Sequence, residues 1–227
     1  MRWLSKARDF SPWTADVVAM TDSGVDAREP TETALAAAAD AAREGDVVVY
    51  PTETVYGIGA DATDADAVKR VFEAKRRSRE KPVSMAVPDL AAATEHVRLG
   101  ERERAFADEF LPGPVTLVCE RRETVPDILT AGRDRVGLRI PDHDGALALL
   151  ERSPPLTATS ANVSGRPSVR YAADLDPEIR EAAAVVLGRR DDPPADAVGS
   201  TVVDVARGEI HREGAVGEAV RAWLDEH

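Results

Sequence analysis

From Thr31 onward, short β-branched runs alternate with stretches of helix length, and that alternation restricts the fold more than any other feature of the chain. "TETALAAAADAAREG" opens on a threonine able to cap a helix. It closes on Gly45, the residue that most cheaply takes a left-handed terminal conformation. "DVVVY" follows, bounded by Pro51, and reads as a strand. "DATDADAVKRVFEAK" then sets Val68, Val71, Phe72 and Lys75 at helical spacing. Further strands are predicted at 83–87, 115–119, 136–140, 156–160, 185–187, 200–205 and 209–212. Further helices are predicted at 89–97, 100–110, 143–152, 174–184 and 216–225. Such alternation points to an α/β sheet with parallel pairs. "VVDVARGEIH" instead resembles a hairpin turning at Arg207–Gly208, so the sheet is expected to be mixed.

Residues 1–30 lack clear periodicity and are expected to form an N-terminal extension packed through Trp3, Phe10 and Trp13. Residues 31–216 are expected to form one domain, and 217–227 a C-terminal helix. A chain of 227 residues can bury a substantial core. Its single cysteine, Cys119, cannot form an internal disulfide, and the apolar run around it suits an inert buried thiol. The formal net charge of −12 argues against bulk attraction to nucleic acid or an anionic membrane. No apolar stretch has the length of a signal peptide core or a membrane span, so a cytoplasmic location without a membrane partner is expected. The chain has no G-x-x-x-x-G-K-[ST] phosphate loop and no G-x-S-x-G elbow. Its histidines, at 96, 143, 211 and 227, have no metal-ligand spacing, so no protein-held metal is expected.

Against that acidic background, "KRRSREK" gathers Lys75, Arg76, Arg77, Arg79 and Lys81 within seven positions. Two readings stand side by side. Cations near a helix C-terminus are stabilised by the macrodipole and the free carbonyls. Crowded cations also repel one another unless an anion relieves them, and Lys75 and Arg77 could turn toward one spot where the helix ends.

Three further stretches carry polar groups in strand-like phase. In "YPTETVYGIG", Tyr50, Thr52, Thr54 and Tyr56 would share one face if the segment is extended. In "PLTATSANVSGRPS", Ala158, Ser160 and Asn162 align at the C-terminal end of a strand, where open α/β sheets place ligands. Arg139 of "VGLRIP" lies on the face opposite Val136, Leu138 and Ile140. Its partner could be a ligand carboxylate or phosphate, or equally a structural salt bridge. Ser200, Thr201 and Arg212 sit at strand positions near turns and are weak candidates taken singly.

Taken in order, "PTETVYGIGADAT", "KRRSREKP", "PGPVTLV", "VGLRIPDH", "TATSANVSGRPS", "GSTVVDV" and "IHREGAV" resemble the YrdC family of threonylcarbamoyl-adenylate synthases over roughly residues 31–216. The resemblance implies a twisted, mixed α/β sheet with flanking helices around a large concave, locally positive cavity. It implies a nucleotidyl transfer in which L-threonine, bicarbonate and ATP give threonylcarbamoyl-AMP and pyrophosphate, with Mg²⁺ bridging the ATP phosphates. A separate tRNA-modifying threonylcarbamoyl transferase complex would use the product. Carried over residue by residue, Lys75 and Arg77 would be catalytic and would hold ATP with Ser160, Asn162, Ser168 and Arg212. Thr52, Arg139, Ala158 and Thr201 would hold L-threonine. Many relatives have Gly-Arg-Pro where this chain has Arg76–Arg77–Ser78. Two other readings remain open at this point: a tRNA- or RNA-binding module without chemistry, and a paralogue handling another carbamoyl-type substrate, as in hydrogenase maturation. The absence of aromatic residues around "KRRSREK" weighs against the first, since single-strand binders interleave cations with stacking platforms.

Overall fold

The computed structural model describes residues 30–189 and 198–227. The expected packing of Trp3, Phe10 and Trp13 lies outside those residues, as does most of the loop at "RRDDPPAD".

The first helix, α1 (Glu32–Arg43), begins as its sequence requires: Ala34 N donates to Thr31 Oγ1 at 3.2 Å. Its apolar face buries Ala34, Leu35, Ala38, Ala39 and Ala42, and Gly45 follows it at φ +80°. The second helix, α2 (Ala65–Ala74), is capped by the Asp64 carboxylate, which accepts from Asp66 N at 2.8 Å. It buries Ala67, Val68, Val71 and Phe72.

The strands are β1 (Val47–Tyr50), β2 (Gly57–Gly59), β3 (Ser84–Ala86), β4 (Val97–Arg98) and β5 (Val115–Arg121). Then come β6 (Arg135–Arg139), β7 (Leu156–Ser160), β8 (Ala183–Val186), β9 (Thr201–Asp204) and β10 (Glu209–Arg212). They lie in the order β10-β9-β5-β6-β3-β7-β2-β1-β8, with β4 paired to β5 off that path. The pairs β1/β8, β3/β6 and β5/β9 are parallel and the remainder antiparallel, so the sheet is mixed. β9 and β10 form the expected hairpin, with Asp204 opposite Glu209.

Several elements depart from the sequence reading. The helix expected at 89–97 is a single turn, α3 (Leu90–Ala93), after which Val97 pairs with Arg121 in β4. The helix expected at 174–184 is shortened to Pro177–Ala182, with proline in its first turn, and runs directly into β8. "YPTETVYGIG" is not one extended face. β1 stops at Tyr50, β2 starts at Gly57 opposite it, and residues 51–56 are the connecting turn.

Strand alternation divides the sheet's residues between core and cavity. Val115, Leu117 and Cys119 of β5, Val136 and Leu138 of β6, and Val203 of β9 join one apolar cluster with Val68, Phe72, Met85, Phe106 and Trp223. Residues in the opposite phase, Thr116, Gly137, Arg139, Ser200 and Val202, line a cavity instead.

Candidate functional site

The cavity has a volume of about 920 Å³ and six arginines on its wall, Arg77, Arg133, Arg135, Arg139, Arg207 and Arg212, against two aspartates, Asp134 and Asp204. This balance makes it locally positive inside a chain of net charge −12, which is the setting an anionic ligand requires.

The basic run enters this cavity selectively, and the end of α2 explains how. Arg76 N donates to Glu73 O at 3.0 Å and Arg77 N to Phe72 O at 2.9 Å, the paired closing bonds of a Schellman motif. The left-handed position of that motif belongs to Arg76, at φ +48°. The reversal sends Lys75 and Arg77 inward and Arg76 outward, where it meets Glu178 at 3.4 Å. Arg79 pairs weakly with Glu73 on the surface, and Lys81 is exposed.

Lys75 is only 1% exposed and lies behind the cavity wall, not on it. Its Nζ donates to Asn162 O at 2.7 Å and to Ser160 O. Burial, then the neighbouring Arg77, pull its pKa down to about 7, with Asp176 acting in the opposite sense. Arg77 does line the cavity, held by bonds from Nε to Lys81 O (3.1 Å) and from Nη2 to Pro82 O (2.9 Å). Desolvation and Arg212 lower its pKa, and desolvation and Arg139 lower that of Arg212. Three guanidinium groups therefore feel one another across the same space.

Arg212 is fixed by Ser200, donating from Nε and Nη2 to its carbonyl at 3.1 and 2.8 Å. Ser200 Oγ in turn shares a 2.7 Å hydrogen bond with Thr116 Oγ1. Arg139 Nη2 donates to Glu53 Oε1 at 2.8 Å and to Thr54 Oγ1 at 2.7 Å, so the partner left open by the sequence is, in this state, a salt bridge. Thr52 Oγ1 shares a 2.9 Å hydrogen bond with Thr54 Oγ1 and donates to Val55 O at 2.6 Å, closing the turn between β1 and β2.

Of the residues singled out from the sequence, Thr52, Arg77, Arg139, Ala158, Ser160, Ser168 and Arg212 line the cavity. Lys75, Asn162 and Thr201 do not. The Asn162 side chain is turned into its own loop, donating to Val163 O at 2.9 Å and Arg166 O at 2.8 Å while accepting from Ser160 Oγ. Thr201 shares the strand phase of Val203, faces away, and accepts from Gly214 N at 3.2 Å; its neighbour Ser200 holds the cavity position. Sequence reasoning passed over Ser84, Thr116 and Gly137 of the floor. A side chain at Gly137 would begin 2.4 Å from Ser84 Oγ and 2.8 Å from Thr116 Cγ2, so anything larger than glycine would force those floor side chains to move. The alternation of "VTLV" and "VGLR" carried that signal. Among the described residues no group of three or more His, Cys, Asp or Glu could hold a metal ion, and no helix is long and apolar enough to cross a membrane.

Residues 40–214 match the family model Sua5_yciO_yrdC, described as "Telomere recombination". The threonylcarbamoyl-AMP synthase of Pyrococcus abyssi is 45% identical over 128 residues, covering 56% of this chain and 38% of that protein. The threonylcarbamoyl-AMP synthase of Escherichia coli is 34% identical over 188 residues, covering 80% of this chain and 96% of that protein. Among solved structures, P. abyssi Sua5 complexed with L-threonine superposes with a TM-score of 0.74 at 36% identity, over 84% of this chain and 57% of that one. The chain thus spans well under two thirds of the length of its archaeal relative and nearly all of the bacterial one.

A non-glycine residue in the left-handed region loses roughly 1–2 kcal/mol, partly offset by the greater unfolded freedom of glycine. Arg76→Gly is therefore expected to leave stability unchanged or raise it by up to about 1 kcal/mol, whereas Arg76→Val should lower it, as read from urea midpoints. For Lys75, the folded pKa of about 7 lies below the ordinary 10.5, so the unfolded chain holds more protons between those values and stability rises with pH there. The wild-type urea midpoint should gain on that of Lys75→Met as pH climbs from about 7 to about 10, and a constant difference would contradict the buried-ammonium account.

Proposed function

The chain belongs to the Sua5–YciO–YrdC family, and from that premise we propose that it is a threonylcarbamoyl-AMP synthase using L-threonine, bicarbonate and ATP. The observation that carries this reading is the convergence of Arg77, Arg139 and Arg212 on one cavity, whose mutual electrostatic coupling calls for an anionic occupant. A relative's structure in complex with L-threonine favours chemistry over simple RNA binding.

In the proposed reaction the threonine amine, once deprotonated, adds carbon dioxide derived from bicarbonate to give a carbamate. A carbamate oxygen then attacks the α-phosphorus of ATP, and the Pα–O bond to pyrophosphate breaks. Two anions must approach, so charge neutralisation and fixed geometry are the main tools available. Arg139, with Thr52 beside it, would receive the threonine carboxylate through a charge-assisted hydrogen bond. Arg77 and Arg212, which share the cavity with Ser160 and Ser168, would hold the triphosphate and stabilise charge as it builds. Lys75 would act from behind the wall, fixing the Ser160–Asn162 turn through its carbonyls and adding positive potential to it. Mg²⁺ would arrive on the ATP phosphates and supply further neutralisation. It usually keeps several waters and takes few protein ligands, and Asp204 on the cavity wall is already engaged by Arg135 at 2.9 Å. The product would pass to a tRNA-modifying threonylcarbamoyl transferase complex.

Pyrophosphate release with ATP and Mg²⁺ should require both L-threonine and bicarbonate; release that needs neither rejects the proposal. Loss of one well-placed charged donor is expected to cost about 3–4 kcal/mol in the transition state, so Arg77→Ala should lower kcat/KM by roughly 10²–10³ while the far-ultraviolet spectrum stays unchanged.

A further inference from the structure

We propose that Glu53 is a positioning residue for the amino-acid substrate, holding the Arg139 guanidinium from behind the cavity wall in the orientation that receives the substrate carboxylate. This rests on the function proposed above. Glu53 lies on the turn between β1 and β2, and Arg139 at the end of β6, 86 residues away in sequence. Arg139 lines the cavity; Glu53 does not.

The geometry of the contact is one-sided. Arg139 Nη2 spends both hydrogens on this turn, one on Glu53 Oε1 at 2.8 Å and one on Thr54 Oγ1 at 2.7 Å. Nη1 is the part of the guanidinium that a ligand can use, since Nε is itself buried. Both side chains are largely withdrawn from water, at 12% and 17% exposure. Yet Glu53 Oε2 and Arg139 Nε are buried without partners. A pair kept for stability alone would be expected to close into a two-bond fork, since a desolvated ion pair with unsatisfied atoms is commonly no better than apolar side chains of the same size. The incomplete bridge makes sense if its purpose is orientation. An arginine side chain has many rotamers to lose, and Arg212 repels this one across the cavity. Glu53 and Thr54 together remove that freedom before the substrate arrives. The turn is itself braced, because Thr54 is bonded to Thr52 and Thr52 to Val55 O.

The test is steady-state kinetics on the full chain with Glu53→Ala and Glu53→Gln, varying L-threonine and ATP separately. Glu53→Ala should raise the KM for L-threonine about tenfold or more, with the KM for ATP within about twofold and kcat within about threefold of wild type. Glu53→Gln keeps an oxygen acceptor in place and should restore the threonine KM to within about threefold. An unchanged threonine KM in Glu53→Ala overturns the inference. So does a parallel rise in both KM values, which marks a general structural role, and so does a Gln variant as impaired as Ala. If Glu53→Ala does not fold, Glu53→Asp, which withdraws the carboxylate, should show the same selective rise. Wild-type protein with no threonine-dependent turnover rejects the function itself, and this inference with it. A wild type that turns over threonine while the variants keep its KM rejects only the role of Glu53.

Discussion

The site depends on one buried cation. The Lys75 ammonium joins the C-terminal end of α2 to the end of β7 and the turn after it by donating to the carbonyls of Ser160 and Asn162. The return bond, Ser164 N to Lys75 O at 2.8 Å, completes the tie between segments separated by more than eighty residues. Val163 N is held in the next position by Asp176 Oδ2 at 2.8 Å, and Asp176 also pairs with Arg166. The cavity wall from Ser160 to Ser168 hangs from these contacts. The interaction is closely balanced: desolvation has drawn the amine to the edge of losing its proton near neutrality, and two carbonyl acceptors favour keeping it.

Around that tie, the charge distribution is sorted by backbone geometry. The acidic residues that give the chain its net charge are largely outside, and the guanidinium groups that matter are turned inward by two devices. Strand alternation does it for Arg139, whose neighbours Leu138 and Ile140 are buried in the core. The left-handed residue at the end of α2 does it for Lys75 and Arg77, by rotating Arg76 out between them. The basic run is thus divided between surface and cavity. Part of it is a helix terminus and surface salt bridges, and part, through Arg77, lines the cavity.

Most of this frame could be read from the sequence because it is local. Thr31 and Gly45 marked the ends of the first helix, and alternation in "VGLRIP" correctly put Arg139 on the face opposite Val136 and Leu138. In "GSTVVDV" the same alternation puts Ser200 in the cavity and Thr201 on the opposite face. Elements of two to four residues, such as β2, β4 and α3, were hidden because so few positions hold no periodicity, and partners elsewhere in the sheet decide their form. The strain at Arg76 was also invisible, since an arginine gives no sign of a positive φ. Long-range pairings were the least accessible of all. Nothing in the string "PTETV" announces that Glu53 will pair with Arg139, or in "KRRSREK" that Lys75 will be buried against the carbonyls of Ser160 and Asn162.

The central claim is that the inward-facing guanidinium groups divide the labour, one holding the phosphates and another the amino acid. Calorimetric titration of ATP into wild-type protein and into Arg77→Ala, each followed by L-threonine, tests that claim most directly. The account predicts one-site ATP binding that weakens at least about tenfold in the variant, a loss of roughly 1.4 kcal/mol, while threonine affinity is retained. Equal ATP affinity in the two proteins would contradict it.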